Sequence, residues 1–196
     1  MSMPRVLRAA DYPRMPWKNG AGSTQEILRD GGADLDGFGW RLSIADVGQP
    51  GPFSAFTGYQ RVITVLEGAG MRLVVDDVPS RELTAGDAFA FDGGSRVQCE
   101  LLGGAIRDFN LIYAPQRFAG RLQWQRVNGP LRLFSAADTL LLFSAGEGLE
   151  VRLDAGETLH LGRHDCLHLE GNGTLRELVL DALAVVDCCL IELQPR

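Results

Sequence analysis

The sequence predicts an all-β protein of sandwich or barrel type. Three observations predict it: short runs in which apolar and polar residues alternate at period two, glycine and proline placed between those runs, and no long stretch with helical periodicity. Met71, Leu73 and Val75 alternate with Arg72 and Val74. Val97, Cys99 and Leu101 alternate with Gln98, Glu100 and Leu102, and Phe109, Leu111 and Tyr113 with Asp108, Asn110 and Ile112. Such runs are half-buried strands, and the 24 glycines and 9 prolines supply the turns between them. Short helical turns are expected only near Arg8 to Arg14 and near Phe118.

The composition bounds the function. A chain of 196 residues with 45% hydrophobic content can bury a core and is not a disordered polymer. The formal charge is −6, and lysine and arginine nowhere cluster, which argues against nucleic acid or an anionic membrane as partner. The opening MSMPRVLRAADYPRMPWKNG has no apolar core of a secretory signal. The longest apolar pieces, such as Leu140 to Phe143 and Ala182 to Val186, have strand length and fall well short of the roughly 18 residues of a membrane span. Cys99, Cys166, Cys188 and Cys189 show no C-x-x-C spacing, so small core thiols in a reducing cytoplasm are expected.

A weak internal repeat implies two halves. VITVLEGAGMRLVVD (62–76) resembles LLLFSAGEGLEVRLD (140–154), with Gly68 and Gly70 recurring as Gly146 and Gly148, an offset of 78 residues (146 minus 68). Ala85-Gly86-Asp87 resembles Ala155-Gly156-Glu157, an offset of 70 (155 minus 85), which makes the second copy shorter between these points. The expected halves are 1–115, carrying the ligand pocket, and 116–196.

The Leu66-Glu67-Gly68 and Ala85-Gly86-Asp87 turns resemble the two motif anchors of the cupin fold, so the expected architecture is a double cupin. That resemblance implies a His-x-His pair, then a glutamate seven residues before the glycine, then a histidine in the second motif. Here Arg61 stands at the glutamate position, no histidine lies within Ser54 to Thr57, and Val97 stands at the second-motif histidine. In the second half Thr139 and Leu167 take the glutamate and histidine positions. The expectation is a metal-free barrel without cofactor.

A guanidinium in place of a metal-binding carboxylate changes the chemistry of the interior. Arginine stays charged and is costly to bury unpaired, and its fork matches a carboxylate. An inward Arg61 therefore has either an internal acid, Glu26 or Glu67, or an anionic ligand. His160, His164 and His168 have the helical spacing of a possible metal site, but Gly162 and the leucine alternation place His160 and His168 on strands, facing away from the leucine core, and the histidines are expected at the surface.

The segment from Met15 to Ile27, MPWKNGAGSTQEI, resembles the signature of the HutD/Ves family, and 38–47 and 53–61 resemble its next two segments. The resemblance continues through Leu66-Glu67-Gly68, Gly86-Asp87 and Asp108-Phe109-Asn110 to about Tyr113; the second half agrees in pattern only. It implies a metal-free double cupin associated with histidine utilisation, governing the pathway rather than catalysing a step, with urocanate, formiminoglutamate or formylglutamate as candidate ligands. Candidate ligand-binding residues are Lys18 and Asn19 in the glycine-rich turn, Thr24 and Glu26 on one strand face, Arg41, Phe56, Arg61 and Asn110. Arg41 has the alternative of a solvated strand face, and Asp108 and Asn110 that of pointing outward. The functional expectation is a binder of a small anionic metabolite; the alternative is a cofactor-free isomerase or hydrolase with Glu26 or Asp108 as base. A homodimer through sheet edges is a further possibility.

Overall fold

The computed structural model describes residues 3–31 and 37–196. Alternating residues form nineteen strands and one 3-10 turn, Ala9–Asp11, among the described residues. Phe118, expected near a helical turn, instead opens a strand. The strands make two compact units, Tyr12–Arg117 and Phe118–Arg196 joined by the segment up to Asp11. No helix among the described residues is long and apolar enough to cross a membrane.

The first unit faces one sheet with another. Its six-stranded sheet runs β2 (Arg14–Pro16), β3 (Gly22–Arg29), β4 (Trp40–Val47), β11 (Ile106–Tyr113), β6 (Gln60–Glu67) and β9 (Ala88–Asp92). Its four-stranded sheet runs β5 (Gly51–Phe53), β10 (Val97–Leu101), β7 (Met71–Val75) and β8 (Val78–Pro79). Ala45, Val47, Ile63, Val65 and Ile106 from the first sheet pack against Met71, Leu73, Val97 and Cys99 from the second. Each of the valine, leucine, isoleucine and methionine side chains taken fully out of water contributes on the order of 1.5–3 kcal/mol. The core fills one part of the barrel and fixes which residues of β4, β6 and β11 face inward.

The second unit repeats this plan. Its sheets run β1 (Arg5–Leu7), β17 (Cys166–Glu170), β14 (Thr139–Ser144), β19 (Val186–Pro195), β12 (Phe118–Val127), and β13 (Leu131–Ser135), β18 (Arg176–Ala182), β15 (Leu149–Leu153), β16 (Thr158–Leu161). The order β9-β6-β11-β4 recurs as β17-β14-β19-β12, and β5-β10-β7-β8 as β13-β18-β15-β16. Both units have the cupin arrangement of two facing all-β sheets.

Two sequence expectations change here. The N-terminal segment does not stay with 12–117: Arg5, Val6 and Leu7 pair with His168, Leu167 and Cys166, and the Arg8 guanidinium donates to Asp165 at 2.6 Å. A strand without enough neighbours in its own sequence half is satisfied at the free edge of β17. The repeat also keeps its offset of 78 beyond the glycine turns. Asp76 and Asp154 both have positive φ (48° and 52°). Each uses its Oδ1 to accept a backbone amide from across the sheet, Arg96 in one unit and Glu177 in the other. Gly86 then corresponds to His164, with φ of 84° and 66°. Asp87 corresponds to Asp165, whose carboxylates accept the amides of Thr84 and Gly162. The counterpart of Ala85-Gly86-Asp87 is therefore Arg163-His164-Asp165, and Ala155-Gly156-Glu157 belongs to the turn before it. Val97 opposes Val75 as Leu178 opposes Leu153, so Leu178, not Leu167, holds the histidine position of the second half.

Candidate functional site

Alternation along β6 sends Arg61, Ile63 and Val65 to the barrel interior, and the register with β11 places Ile112, Asn110 and Asp108 beside them. On β4, Arg41, Ser43 and Ala45 lie opposite Ile112, Asn110 and Asp108. The apolar core takes Ala45, Val65 and Ile63. The remaining inward positions leave a polar compartment built from Arg61, Arg41, Ser43, Asn110 and Asp108, all buried.

Arg61 is 6% exposed. Its Nη1 donates to the Ser54 carbonyl at 3.1 Å and its Nη2 to Asn110 Oδ1 at 3.0 Å. Asn110 in turn donates from Nδ2 to Asp108 Oδ1 at 2.6 Å. Three buried atoms have no partner among the described residues: Arg61 Nε, Arg41 Nε and Asp108 Oδ2. Aromatic rings complete the walls. The Arg61 guanidinium lies 5.0 Å from the Phe91 centroid, 5.5 Å from Phe56 and 5.7 Å from Phe53; Arg41 lies 5.1 Å from Phe56 and 5.3 Å from Phe38. Phe56 is thus shared by both guanidiniums, and ring faces partly replace the water each has lost. Phe38 is held by Tyr59, whose hydroxyl donates to the Phe38 carbonyl at 2.8 Å and whose ring packs on it at 4.7 Å, tilted by 40°.

Burial, opposed by Asp108 and reinforced by Arg41, lowers the Arg61 pKa to about 10, so the group remains a cation at neutral pH. Arg41 is lowered first by burial, with Glu26 opposing and Arg29 adding to it. Asp108 goes the other way. Burial raises its carboxyl to about 7, against Arg61 and the Asn110 hydrogen bond and with some help from Asp46.

The structure brings together Glu26, Arg41, Phe56, Arg61 and Asn110, and leaves Lys18, Asn19 and Thr24 elsewhere. The register of β3 and β4 shifts between Glu26 and Leu28, so Ile27 has no opposite residue. This bulge returns Glu26 and Arg29 to one face, and they pair at 3.3 Å. Glu26 is thereby bonded to Arg29 rather than to Arg61, and Glu67 lies 3.8 Å from Arg107. Arg41 is 7% exposed, which removes the solvated-face alternative, and the burial of Asp108 and Asn110 removes theirs.

Lys18 is exposed, and Asn19 Oδ1 closes its own turn by accepting the Ala21 amide at 3.0 Å. Thr24 Oγ1 accepts from Trp17 Nε1 at 2.8 Å. Gly22 serves packing, since a Cβ there would come within 2.1 Å of the Asp46 carbonyl, and Gly20 serves the turn, at a φ of 69°. The segment lines an open depression of about 530 Å³ at the far end of the same sheet. The charged side chains there, Asp46, Glu67 and Arg107, already pair with one another. The candidate site is assigned to the arginine compartment, because the unsatisfied buried donors lie there. Sequence reading missed Phe38, Tyr59, Phe91 and the Ser54 carbonyl. Only the alternation of Phe89 and Phe91 opposite β6 carried a signal for any of them.

Among the described residues no group of three or more His, Cys, Asp or Glu side chains could hold a metal ion. His160 is exposed and 3.6 Å from Glu150, and His168 is half-buried. His164 departs from the surface expectation: it is buried and stacks on Phe143 at 5.7 Å.

A HutD family model matches residues 9–187. An uncharacterized 21.2 kDa protein from the hutC 3′ region of Pseudomonas putida is 60% identical over 196 residues, 100% of both chains. Protein Ves of Escherichia fergusonii is 41% identical over 106 residues, 52% of this chain and 55% of that one. Among solved structures, HutD from Pseudomonas fluorescens SBW25, in a formate condition, is similar at a TM-score of 0.87 and 54% identity, covering 99% of this chain and 100% of that one. YhhW from Escherichia coli shares the fold at a TM-score of 0.73 and 11% identity, covering 99% of each chain.

Proposed function

Because the chain belongs to the HutD family, we propose that it binds a small carboxylate metabolite in the Arg61–Arg41 compartment and that this binding serves a regulatory role in histidine utilisation. The observation that carries the reading is Arg61 itself. It is a cation inside a barrel, with its Nη donors on two neutral oxygens, its Nε unpaired and no carboxylate in ion-pair contact among the described residues. Arg41, with its own unpaired Nε, shares the Phe56 ring with it. Two guanidiniums packed on aromatic rings favour a planar anion, because the fork and the carboxylate have matching geometry.

Binding is favoured over catalysis by what the acids are doing. Glu26 is paired with Arg29, and Asp108 lies beneath Asn110, whose amide stands between it and the guanidinium, so neither carboxyl is presented directly to a substrate held on Arg61. The link to histidine utilisation rests on the family and on the hutC-region relative. Urocanate and formylglutamate are then the candidate ligands, each presenting at least one carboxylate.

The test is a thermal-shift titration with formate, glutamate, urocanate and formylglutamate, on the wild type, Arg61→Lys and Arg61→Ala. An anion that binds only the folded state stabilises it by roughly 2.7 kcal/mol at a hundredfold excess over its Kd. The expected result is a rise in Tm with at least one of these anions, weakened in Arg61→Lys, which keeps charge but loses the fork, and abolished in Arg61→Ala. No rise with any anion in the wild type overturns the reading and leaves Arg61 a structural residue.

A further inference from the structure

We propose that occupation of the arginine compartment by an anion loads a proton from solvent onto Asp108, so that the protein takes up its ligand as an anion together with a proton. The inference rests on the carboxylate-binding reading above and adds a regulation to that site.

The geometry places Asp108 where its charge must answer to the ligand. On β11 it lies opposite Ala45 and Val65, both members of the apolar core, while Asn110, two residues on, lies opposite Ser43 and Ile63. Asp108 is therefore the floor of the polar compartment. The side-chain amide of Asn110 is committed in one orientation. Its oxygen accepts from Arg61 at 3.0 Å and its nitrogen donates to Asp108 Oδ1 at 2.6 Å. The guanidinium and the carboxyl are thus wired through a single amide. The second carboxyl oxygen, Oδ2, is buried with no donor among the described residues. A carboxylate in that state is short of hydrogen bonds and of water, and its ionised form is supported chiefly by the positive charge of Arg61, with the single Asn110 hydrogen bond second.

The charges that face Asp108 come from every strand packed on it. Arg61 on β6 favours the ionised form, and Asp46 on β4 disfavours it. Arg41 on β4, paired electrostatically with Glu26 on β3, lies beyond Arg61. Cys99 on β10 is close enough to feel Asp108, but burial pushes its thiol to about 12, so it stays neutral and exchanges no proton in this range. Burial and Arg61 oppose each other closely enough that the carboxyl titrates at about 7. An anion on the guanidinium cancels the support that Arg61 gives. Burial, the largest influence, and Asp46 then outweigh the Asn110 hydrogen bond, and the carboxyl takes its proton.

The sign follows from linkage. Below about pH 7 Asp108 is already protonated in the free protein, and affinity is independent of pH. Above it, binding must bring a proton in, and affinity falls by up to about tenfold per pH unit. A carboxylate ligand is itself fully ionised throughout this range, so the dependence belongs to the protein.

The experiment is isothermal titration of the wild-type protein with sodium formate in HEPES and in Tris at about pH 7.5, with Kd followed from about pH 6 to 8.5. The expected result is a binding enthalpy that differs between the buffers by their ionisation enthalpies times about one-half to one proton taken up, and a Kd flat below about pH 7 and rising above it. Asp108→Asn, a neutral isostere, should bind formate with neither dependence. Formate binding with the same Kd and enthalpy across pH and buffer overturns the coupling and leaves the anion site standing. Persistence of the proton uptake in Asp108→Asn also overturns it. If that variant does not fold, the wild-type buffer comparison alone decides. No formate binding at any pH overturns both the site and the coupling.

Discussion

Asp108 carries a large electrostatic cost in the first barrel. Its folded pKa of about 7 stands above the ordinary value of 3.8, chiefly because of burial. For an acid raised on folding, the native state holds its proton longer than the unfolded chain does. The associated stability is therefore complete below about pH 4 and is lost as pH rises to about 7, by on the order of 4 kcal/mol. Urea unfolding of ligand-free wild type and Asp108→Asn across this range should show the wild-type stability falling more steeply with pH; parallel curves would mean that Asp108 is ionised in place without cost. Phe56 is a second residue whose role is local, since it touches both guanidiniums. Phe56→Leu keeps apolar bulk and removes the ring face, and should cost about 1–2 kcal/mol of stability and weaken anion binding at the same time. A stability loss with unchanged affinity would show that the ring only fills space. At this scale the inward position of Arg61 was legible, because a cation at a metal-ligand position has few ways to be satisfied. That Lys18 and Asn19 lie apart from the arginine compartment was not, because a glycine-rich turn has the same composition whichever part of a sheet it serves.

At the scale of the element, the bulge in β3 and the displaced β1 do what no period-two pattern could announce. Alternation predicts that Glu26 and Arg29 face opposite ways, and the extra Ile27 puts them on one face, so Glu26 is no longer available to Arg61. The β1 segment was assigned to the wrong half because its partner strand lies more than 150 residues away, and three residues carry too little pattern to name a partner. What anchors it is Asp165, which accepts the amides of Ala9 and Gly162 at 2.9 Å each and the Arg8 guanidinium at 2.6 Å. Burial by itself raises the Asp165 carboxyl, but these donors outweigh it and the net pKa is lowered. Its stability contribution is thus present at neutral pH and is lost as pH falls through the lowered value. Asp165→Ala should cost about 2–4 kcal/mol and release the first residues to proteolysis, because two backbone donors lose their acceptor. Arg8→Ala should cost about 1 kcal/mol or less, since that side chain is half exposed. Equal losses in the two variants, read as shifts in urea midpoint, would place the anchor in the ion pair instead.

At the scale of the whole molecule, the duplication was legible in outline and misaligned in detail. Strand, glycine turn and strand recur in both halves. But alanine, glycine and an acid form a common turn, and Ala155-Gly156-Glu157 resembled Ala85-Gly86-Asp87 more than the true counterpart did. His164 hides the correspondence, because a left-handed backbone position filled by glycine in one copy is filled by histidine in the other. The structural alignment matters for chemistry, since it fixes what stands at the cation-binding positions of each barrel. These are Arg61 and Val97 in one and Thr139 and Leu178 in the other. An arginine, two aliphatic residues and a threonine supply no imidazole and no carboxylate, the ligands by which such a barrel would hold a divalent transition metal. Arg61 adds a fixed positive charge where the metal would sit, which repels a cation as strongly as it attracts an anion. Purified protein should therefore carry well under one transition-metal ion per chain, and EDTA should leave both its Tm and its response to formate unchanged. Elemental analysis that found a stoichiometric metal, with a Tm that fell on chelation, would require a cation site built from other residues and would overturn the assignment of this barrel to anions.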